Sequence, residues 1–143
     1  MKSAIKISDA ASIAIHAMAL LAARKNETVT APEAAKRLEV SEAHLSKVMQ
    51  RLAKAGLVSS VRGPGGGFSL TRNSNKITLL EVYESIDGQI TYSNCLFDTA
   101  ICNSDNCVFG ELLGNVNKEV KTYLSRTKLS DVADVYNNKK RRG

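Results

Sequence analysis

The sequence is poor in aromatic residues and contains no long apolar run. It has no Trp, and aromatic residues make up 5% of its 143 positions, so the core must be built mainly from Ala, Val, Ile and Leu. No stretch approaches the roughly 18 consecutive apolar residues of a membrane span. The N-terminus lacks the apolar stretch of a secretory signal, and no lipidation motif is present. We therefore expect a cytoplasmic protein that does not contact a membrane.

The remaining composition is typical of one folded domain. Apolar residues make up 43% and charged residues 24%, as in ordinary soluble domains and unlike a disordered chain. The net charge of +6 favours an anionic partner. This charge is uneven, because residues 33–72 contain seven basic and three acidic side chains, whereas residues 73–138 contain five basic and nine acidic ones. This uneven distribution of charge predicts one binding face in the first half of the chain.

Four helices are predicted within residues 1–88. Apolar residues recur at helical spacing over Ser8–Lys25, and Ser8 can cap that helix. A capping box with Pro in the first turn predicts a second helix over Thr30–Leu38, and a third is predicted over Ser41–Ala55. A second capping box predicts a fourth helix that starts at Thr78 and ends before Gly88.

Two short strands, Leu57–Val61 and Phe68–Leu70, are predicted after the third helix, joined by the turn-rich connector Arg62–Gly67. Two helices joined by a tight turn and followed by a hairpin are the order of a winged helix-turn-helix. The predicted fold class is therefore mainly α with a small β-hairpin wing. Residues 1–88, including the first helix, are assigned to this DNA-binding unit.

The second half contains a cysteine-rich stretch and a long helix. Residues 89–107, called here the cysteine segment, have no regular spacing of apolar residues and contain all three cysteines. An apolar stripe predicts a long helix over Val108–Leu124. Ser130 is predicted to cap a last short helix within the unit 108–136. The basic tail, residues 137–143, is predicted to be disordered.

The third helix has polar and basic residues on its outward side. Residues predicted to face outward are Ser41, Ala43, His44, Ser46, Lys47, Gln50, Arg51 and Lys54. Those near the N-terminus can meet base edges in a major groove, whereas Arg51 and Lys54 are expected to reach phosphates. His44 has either a DNA-binding or a structural role. The alternative for this whole pattern is a solvated helix face.

The connector between the strands combines Arg62 with four glycines and one proline. Glycines allow a backbone to approach a phosphate or enter a minor groove, so Arg62 and Gly63 are assigned to DNA binding. A nucleotide-binding loop is disfavoured, because the glycines of P-loops and dinucleotide folds lead into a helix, and here a strand is predicted to follow.

The three cysteines have the spacing Cys95-x6-Cys102-x4-Cys107. Disulfides are rare in the cytoplasm, and thiolates suit iron–sulfur clusters or zinc. Three in one short polar loop can converge on a single centre. Reactive thiols and small buried side chains are the alternatives. No Ser/His/Asp or paired-carboxylate pattern indicates catalysis, and with two histidines a Cys/His nucleophile is disfavoured, so we expect no enzyme.

The stretch Lys54–Phe68, with the sequence KAGLVSSVRGPGGGF, resembles the wing of the bacterial regulators that include IscR, NsrR, RirA and CymR, the Rrf-two family. The similarity extends upstream over Val40–Lys47 and downstream over Ile77–Ile86, the three cysteines and Leu129–Ala133. Members of this family are homodimeric transcription regulators, usually repressors. The resemblance covers nearly the whole chain.

The resemblance implies specific roles for several residues. Val108–Leu124 would be the dimerisation helix, and Arg62 would enter a minor groove. Ser46 occupies the position that tunes operator choice in IscR, where the residue is acidic, so the operator sequence is expected to differ.

A cofactor is also implied by the resemblance, because sensing relatives carry three cysteines in this segment. They would hold a two-iron or four-iron iron–sulfur cluster, although the middle cysteine here is shifted by one residue. The fourth-ligand histidine of IscR-type relatives corresponds to Gly110 here. Relatives that take a ligand from the first helix point instead to His16 and, second, to Asp9.

Together these features predict a dimeric winged-helix transcription regulator that senses redox state, nitric oxide or iron–sulfur status. Its operator would be roughly palindromic, with half-sites about one DNA turn apart. Two alternatives stay open. One is thiol-based or cluster-independent sensing on the same DNA-binding body, and the other is a winged-helix module that binds a protein.

Overall fold

In the computed structural model, residues 5–90, 95–103 and 107–137 are described. The elements in these ranges are α1 (Asp9–Ala23), α2 (Ala31–Leu38), α3 (Glu42–Lys54), β1 (Val58–Val61), β2 (Gly67–Leu70), α4 (Leu79–Asp87), α5 (Leu112–Arg126) and α6 (Leu129–Val132), with 3₁₀ turns at Ser74–Lys76 and Ala133–Tyr136. The chain is mainly helical, and β1 pairs antiparallel with β2, which confirms the predicted fold class. No helix in the described ranges has the length and apolarity to cross a bilayer. The tail predicted to be disordered lies outside the described residues from position 138 onward.

Helices α1 and α3 begin where the sequence predicts, and each start is capped by a serine. The Ser8 hydroxyl accepts a hydrogen bond of 3.0 Å from the backbone N–H of Ala11. The Ser41 hydroxyl accepts one of 3.1 Å from the N–H of His44. Each bond satisfies one of the N–H groups that a helix start leaves without an intrahelical partner, which is why a local pattern locates both starts.

The two predicted capping boxes differ in the structure. Thr78 and Glu81 form the reciprocal pair, with bonds of 3.2 Å and 3.0 Å. Thr30 accepts from the N–H of Glu33 at 3.3 Å, but the Glu33 carboxylate lies 2.9 Å from Arg24. The box at Thr30 is therefore half formed, because an arginine from the end of α1 binds the glutamate.

The long helix starts later than predicted. The expected span was Val108–Leu124, whereas α5 spans Leu112–Arg126. Residues 108–111 form a turn, in which Gly110 has a φ of 57°. This left-handed conformation interrupts a right-handed helix, so apolar spacing alone placed the start too early.

The last short helix begins one residue before its predicted cap. Ser130 lies inside α6, so its assignment as the cap was wrong. The Asp131 carboxylate instead accepts a hydrogen bond of 2.9 Å from the N–H of Lys128. A carboxylate in the first turn is also favoured by the helix dipole. The chain continues from α6 into a 3₁₀ turn that ends at Tyr136.

Helix α1 lies at the centre of an apolar core. Its residues Ala11, Ala14 and Ala17 are at most 1% exposed, and such small side chains let α3, α4 and α6 pack closely against it. The largest fully buried side chains are Met18, Leu20, Val29, Leu45, Val48, Met49, Leu52, Ile77, Val82 and Leu129. Within the described ranges no polar or charged side chain is buried. An aliphatic core thus forms without Trp.

Candidate nucleic-acid interface and cysteine segment

Helices α2 and α3 are joined by a tight reversal of three residues. Glu39 adopts a left-handed conformation with φ 57°, a common way to end a helix. Val40 then donates a hydrogen bond of 3.0 Å to the carbonyl of Ala35, and Ser41 caps α3. The inward face of α3 consists of the buried side chains Leu45, Val48, Met49 and Leu52. The packing of this face fixes which side of α3 points outward.

The outward side of α3 is open near the N-terminus of the helix. The exposed positions there are Ser41, Glu42, Ala43, His44 and Lys47, and Ser46 is half-buried between them. The Ser41 oxygen is engaged in the cap, while its O–H can still donate. This side presents hydroxyl groups, one imidazole and one ammonium, which are groups that read base edges or bind phosphates.

Arg51 is exposed on α3, as predicted, but its guanidinium also has a partner within the protein. Its guanidinium Nη2 donates a hydrogen bond to the carbonyl of Ile86, in the last turn of α4. The guanidinium therefore reaches another helix, and a phosphate contact would compete with this hydrogen bond. Arg51 thus lies on the outward side of α3, and its bond to α4 is the feature that was not predicted.

The wing tip is a glycine turn between β1 and β2. Val61 pairs with Gly67 at the last register position, and the turn closes with a bond of 2.9 Å from the Gly66 N–H to the Gly63 carbonyl. A Cβ on Gly66 would lie 2.3 Å from the Val61 carbonyl oxygen. Arg62 and Gly63 are exposed at this tip, so the residues predicted to bind DNA are accessible.

The wing is fixed to the segment that precedes α2. The Thr28 hydroxyl donates to the carbonyls of Gly65 and Gly66, at 3.1 Å and 3.3 Å. Val29 and Phe68 exchange two backbone hydrogen bonds of 3.0 Å and 2.8 Å. Sequence reasoning missed Thr28 and Val29, because their partners lie more than 35 positions away and no local pattern marks them.

An ion pair links Arg72, which follows β2, to Glu81 on α4. The Arg72 guanidinium lies 2.9 Å from the Glu81 carboxylate. Burial raises the pKa of Glu81, but hydrogen bonds from the Thr78 backbone and from Arg72, together with the positive charge of Arg72, outweigh it and lower the pKa below its usual value. Glu81 thus favours its charged form and holds both its cap and its ion pair.

The three cysteines are present as thiols with different exposure. Cys95 is half-buried, and Cys102 and Cys107 are exposed. The N–H of Phe97 donates to the Cys95 sulfur at 3.4 Å. In residues 5–90, 95–103 and 107–137, no three or more His, Cys, Asp or Glu side chains converge into a metal-binding group. The donor types fit an iron–sulfur cluster, but the described residues do not gather them.

The two candidate fourth ligands both lie on α1. The Nδ1 of His16 is 2.6 Å from the carbonyl oxygen of Ser12. Because a carbonyl only accepts, Nδ1 carries a proton and Nε2 of the neutral ring has a lone pair for ligation. Asp9 is exposed in the first turn of α1. Both side chains are accessible, as a ligand donated to another subunit would need to be.

Large apolar side chains are exposed in the cysteine segment and at the start of α5. They are Leu96, Phe97, Ile101, Val108, Phe109 and Leu112, and we call them the apolar patch. Val108 is 85% exposed, whereas Leu124, near the opposite end of α5, is 5% exposed. The predicted stripe therefore packs on the core only near its C-terminal end. Large exposed apolar side chains in this number are typical of a surface that another protein covers.

Comparisons with known sequences agree with this architecture. The Rrf2 family, described as an iron-dependent transcriptional regulator, matches residues 7–135. IscR of Cereibacter sphaeroides is 30% identical over 125 residues, which are 85% of this chain and 81% of that protein. IscR of Xenorhabdus nematophila is 32% identical over 112 residues, which are 72% of this chain and 68% of that protein.

Solved structures show the same fold. CymR, the global cysteine regulator of B. subtilis, matches with a TM-score of 0.77 and 27% identity, over 92% of this chain and 98% of CymR. IscR of T. potens matches with a TM-score of 0.72 and 25% identity, over 98% of this chain and 95% of that one. The fold therefore defines a winged helix-turn-helix protein. The chain belongs to the Rrf2 family of transcriptional regulators.

Proposed function

We propose that the chain is a dimeric DNA-binding repressor that reads a roughly palindromic operator. Helix α3 would enter the major groove, and Arg62 the adjacent minor groove. The observation that carries this proposal is that the open side of α3 and the wing tip belong to one unit, held together by Thr28 and Val29. A fixed wing and helix can meet two grooves of one duplex at a defined spacing.

The charge distribution supports the same orientation. The basic excess of residues 33–72 coincides with α2, α3 and the wing. Phosphate neutralisation by Lys and Arg supplies most of the non-specific affinity for DNA. The acidic second half would face away from the duplex.

The dimer proposal rests on the apolar patch and on the family. Val108, Phe109 and Leu112 expose large apolar surface, and burying it against a second copy would release water from both. A two-fold dimer would also set two α3 helices about one DNA turn apart, which is the spacing that a palindromic operator requires.

We propose that the three cysteines hold the sensor, an iron–sulfur cluster. Thiolates are the usual ligands of such clusters, and His16 or Asp9 could complete the set. When bound, a cluster supplies a centre that responds to redox state and nitric oxide. Because the cysteine segment leads into α5, a change in its shape would move the dimer helix and alter the spacing of the two recognition helices.

A second candidate uses the cysteines as thiol switches. It is favoured by the exposure of Cys102 and Cys107, since accessible thiols are the ones that oxidise. It also agrees with the structural likeness to CymR, which is named a cysteine regulator. A winged-helix module that binds a protein is the remaining alternative.

The DNA-binding proposal is tested by replacing Arg62 with Ala and measuring operator affinity over a range of salt concentrations. We expect weaker binding at fixed salt, by about 10- to 100-fold for loss of a minor-groove arginine. Lys118→Ala removes one exposed positive charge on α5 and is the matched control. Equal affinity of Arg62→Ala and the wild type would refute this assignment of the wing.

The sensor proposal is tested by anaerobic purification with iron and sulfide analysis. A cluster predicts bound iron and sulfide that are lost when Cys102 is replaced by Ala. A colourless, iron-free protein that still binds its operator would exclude the cluster and favour the thiol switch.

A further inference from the structure

The last turn of α4 receives contacts from two other helices. The Arg51 guanidinium of α3 donates to the carbonyl of Ile86. The Ser8 hydroxyl, at the start of α1, donates to the Asp87 carboxylate at 2.5 Å, and the Ser8 N–H does so at 3.4 Å. Neither contact has a role in the DNA-binding or sensing proposals above.

The Arg51 contact has a clear electrostatic cause. The last carbonyls of a helix have no intrahelical donors and form the negative end of its dipole. Helix α4 has no basic residue in its own last turn, so the cation that its C-terminus favours comes from α3. A charged donor also makes a stronger bond to a carbonyl than a neutral one does.

The acceptor is held in a fixed place. The Ile86 side chain is 7% exposed and belongs to the core. The Gly88 N–H donates to the Glu84 carbonyl at 3.0 Å and closes the same turn. Arg51 thus binds a rigid part of the protein, and the contact limits how far α3 can tilt relative to α4.

The cysteine segment departs from this turn. Gly88 ends α4 with a φ of 82°, and the segment begins at the next residue. The single turn 84–88 therefore has three connections. Arg51 of α3 and Ser8 at the start of α1 form hydrogen bonds to it, and the cysteine segment continues directly from it.

We propose that Arg51 is a positioning residue, which sets the orientation of the recognition helix against the turn that carries the cysteine segment, and that it does not bind a phosphate. This inference rests on the proposed DNA-binding function. A displacement of residues 84–88 would reach α3 through the Arg51–Ile86 bond without any change at the operator surface itself.

The first test measures amide hydrogen exchange in the DNA-free protein. Arg51→Met keeps the length of the stem and removes the donor. We expect exchange at residues 84–88 to become about tenfold faster or more, as for the loss of one charge-assisted hydrogen bond. Lys54→Met removes an exposed charge from the same helix and should leave these amides unchanged. Equal exchange in the two variants would overturn the inference.

The second test separates positioning from phosphate binding. Each neutralised phosphate adds about 0.9 to the slope of log affinity against log salt. We expect Arg51→Met to bind the operator about tenfold more weakly, because the orientation of α3 changes. The salt dependence of its affinity should keep the wild-type slope, because the number of phosphate contacts does not change. A slope that falls by about 1 would identify a phosphate contact and overturn the inference.

Two controls keep the outcomes distinct. If Arg51→Met does not fold, as judged by circular dichroism, Arg51→Gln takes its place, since it removes the positive charge and keeps only a shorter, neutral donor. If the wild type does not bind duplex DNA at all, the proposed function fails, and the exchange measurement still decides whether Arg51 holds the turn of α4.

Discussion

The Thr28 hydroxyl donates a hydrogen bond of 3.1 Å to the carbonyl of Gly65, across 37 positions of sequence. Together with the bond of 3.3 Å to Gly66, it joins the loop before α2 to the wing tip. The helix-turn-helix and the wing are thus oriented by a side chain that has no predicted role in either.

Replacing Thr28 with Val should weaken operator binding by about three- to tenfold, the effect expected for loss of a neutral hydrogen bond that orders the wing. Val keeps the size of the side chain and removes the donor. Thr28→Ser keeps the donor and should bind as the wild type does. Fluorescence anisotropy with a labelled operator measures both. Equal affinities of the two variants would show that this bond does not orient the wing.

Gly67 is required where the wing crosses the chain before α2. Its φ is 140°, and a Cβ would lie 2.7 Å from the carbonyl oxygen of Val29. Gly67→Ala should lower the free energy of unfolding by about 3 kcal/mol, since both strain and a backbone clash oppose it. Urea denaturation measures this change.

Gly63→Ala is the matched control for Gly67→Ala. Gly63 also has a positive φ, of 93°, but a Cβ there would meet no atom within 4 Å. Only the backbone strain remains, so we expect a loss of about 1 kcal/mol. A loss at Gly67 no greater than that at Gly63 would contradict the close approach to Val29.

The predictable parts of the fold are those that adjacent residues determine. Ser41 locates the start of α3 because its cap bond reaches only three positions along the chain. The start of α5 was misplaced because its apolar stripe continues through Gly110, whose positive φ no periodicity records.

The candidate site was predictable to a similar extent. Arg62 was predicted at the wing tip because the glycine turn forces it there. The hydrogen-bond partner of Arg51 was not predictable, since Ile86 lies 35 positions away and the packing of α3 against α4 decides the contact. Helical spacing tells which side a residue faces, but it does not tell which neighbour a long side chain will reach.

The ion pair of Glu81 and Arg72 should make the free energy of unfolding depend on pH in the acidic range. The pKa of Glu81 in the folded protein lies below the ordinary value of 4.5. The stabilisation of the folded protein by ionised Glu81 is therefore present above about pH 4.5 and is lost as the pH falls through the folded-state pKa. Glu81→Gln should destabilise the protein at pH 7 and have less effect near pH 3.

Urea unfolding of Glu81→Gln and the wild type between pH 3 and pH 7 tests this dependence. Glu84→Gln replaces a glutamate on the same helix for which no ion pair is found among the described residues, and it is the control. A constant difference between Glu81→Gln and the wild type across this range would rule out the proposed acid dependence.

The apolar patch should decide the oligomeric state. Phe109 is 48% exposed in the single chain, and Phe109→Asp would place a charge in the proposed dimer contact, where an unpaired charge is costly to bury. We expect sedimentation velocity to show mostly monomer for this variant and dimer for the wild type. Val135→Asp introduces the same charge at a residue that is 68% exposed and lies outside the patch, so it should remain dimeric. If both variants stay dimeric, the dimer contact must lie elsewhere, and the patch would need another partner.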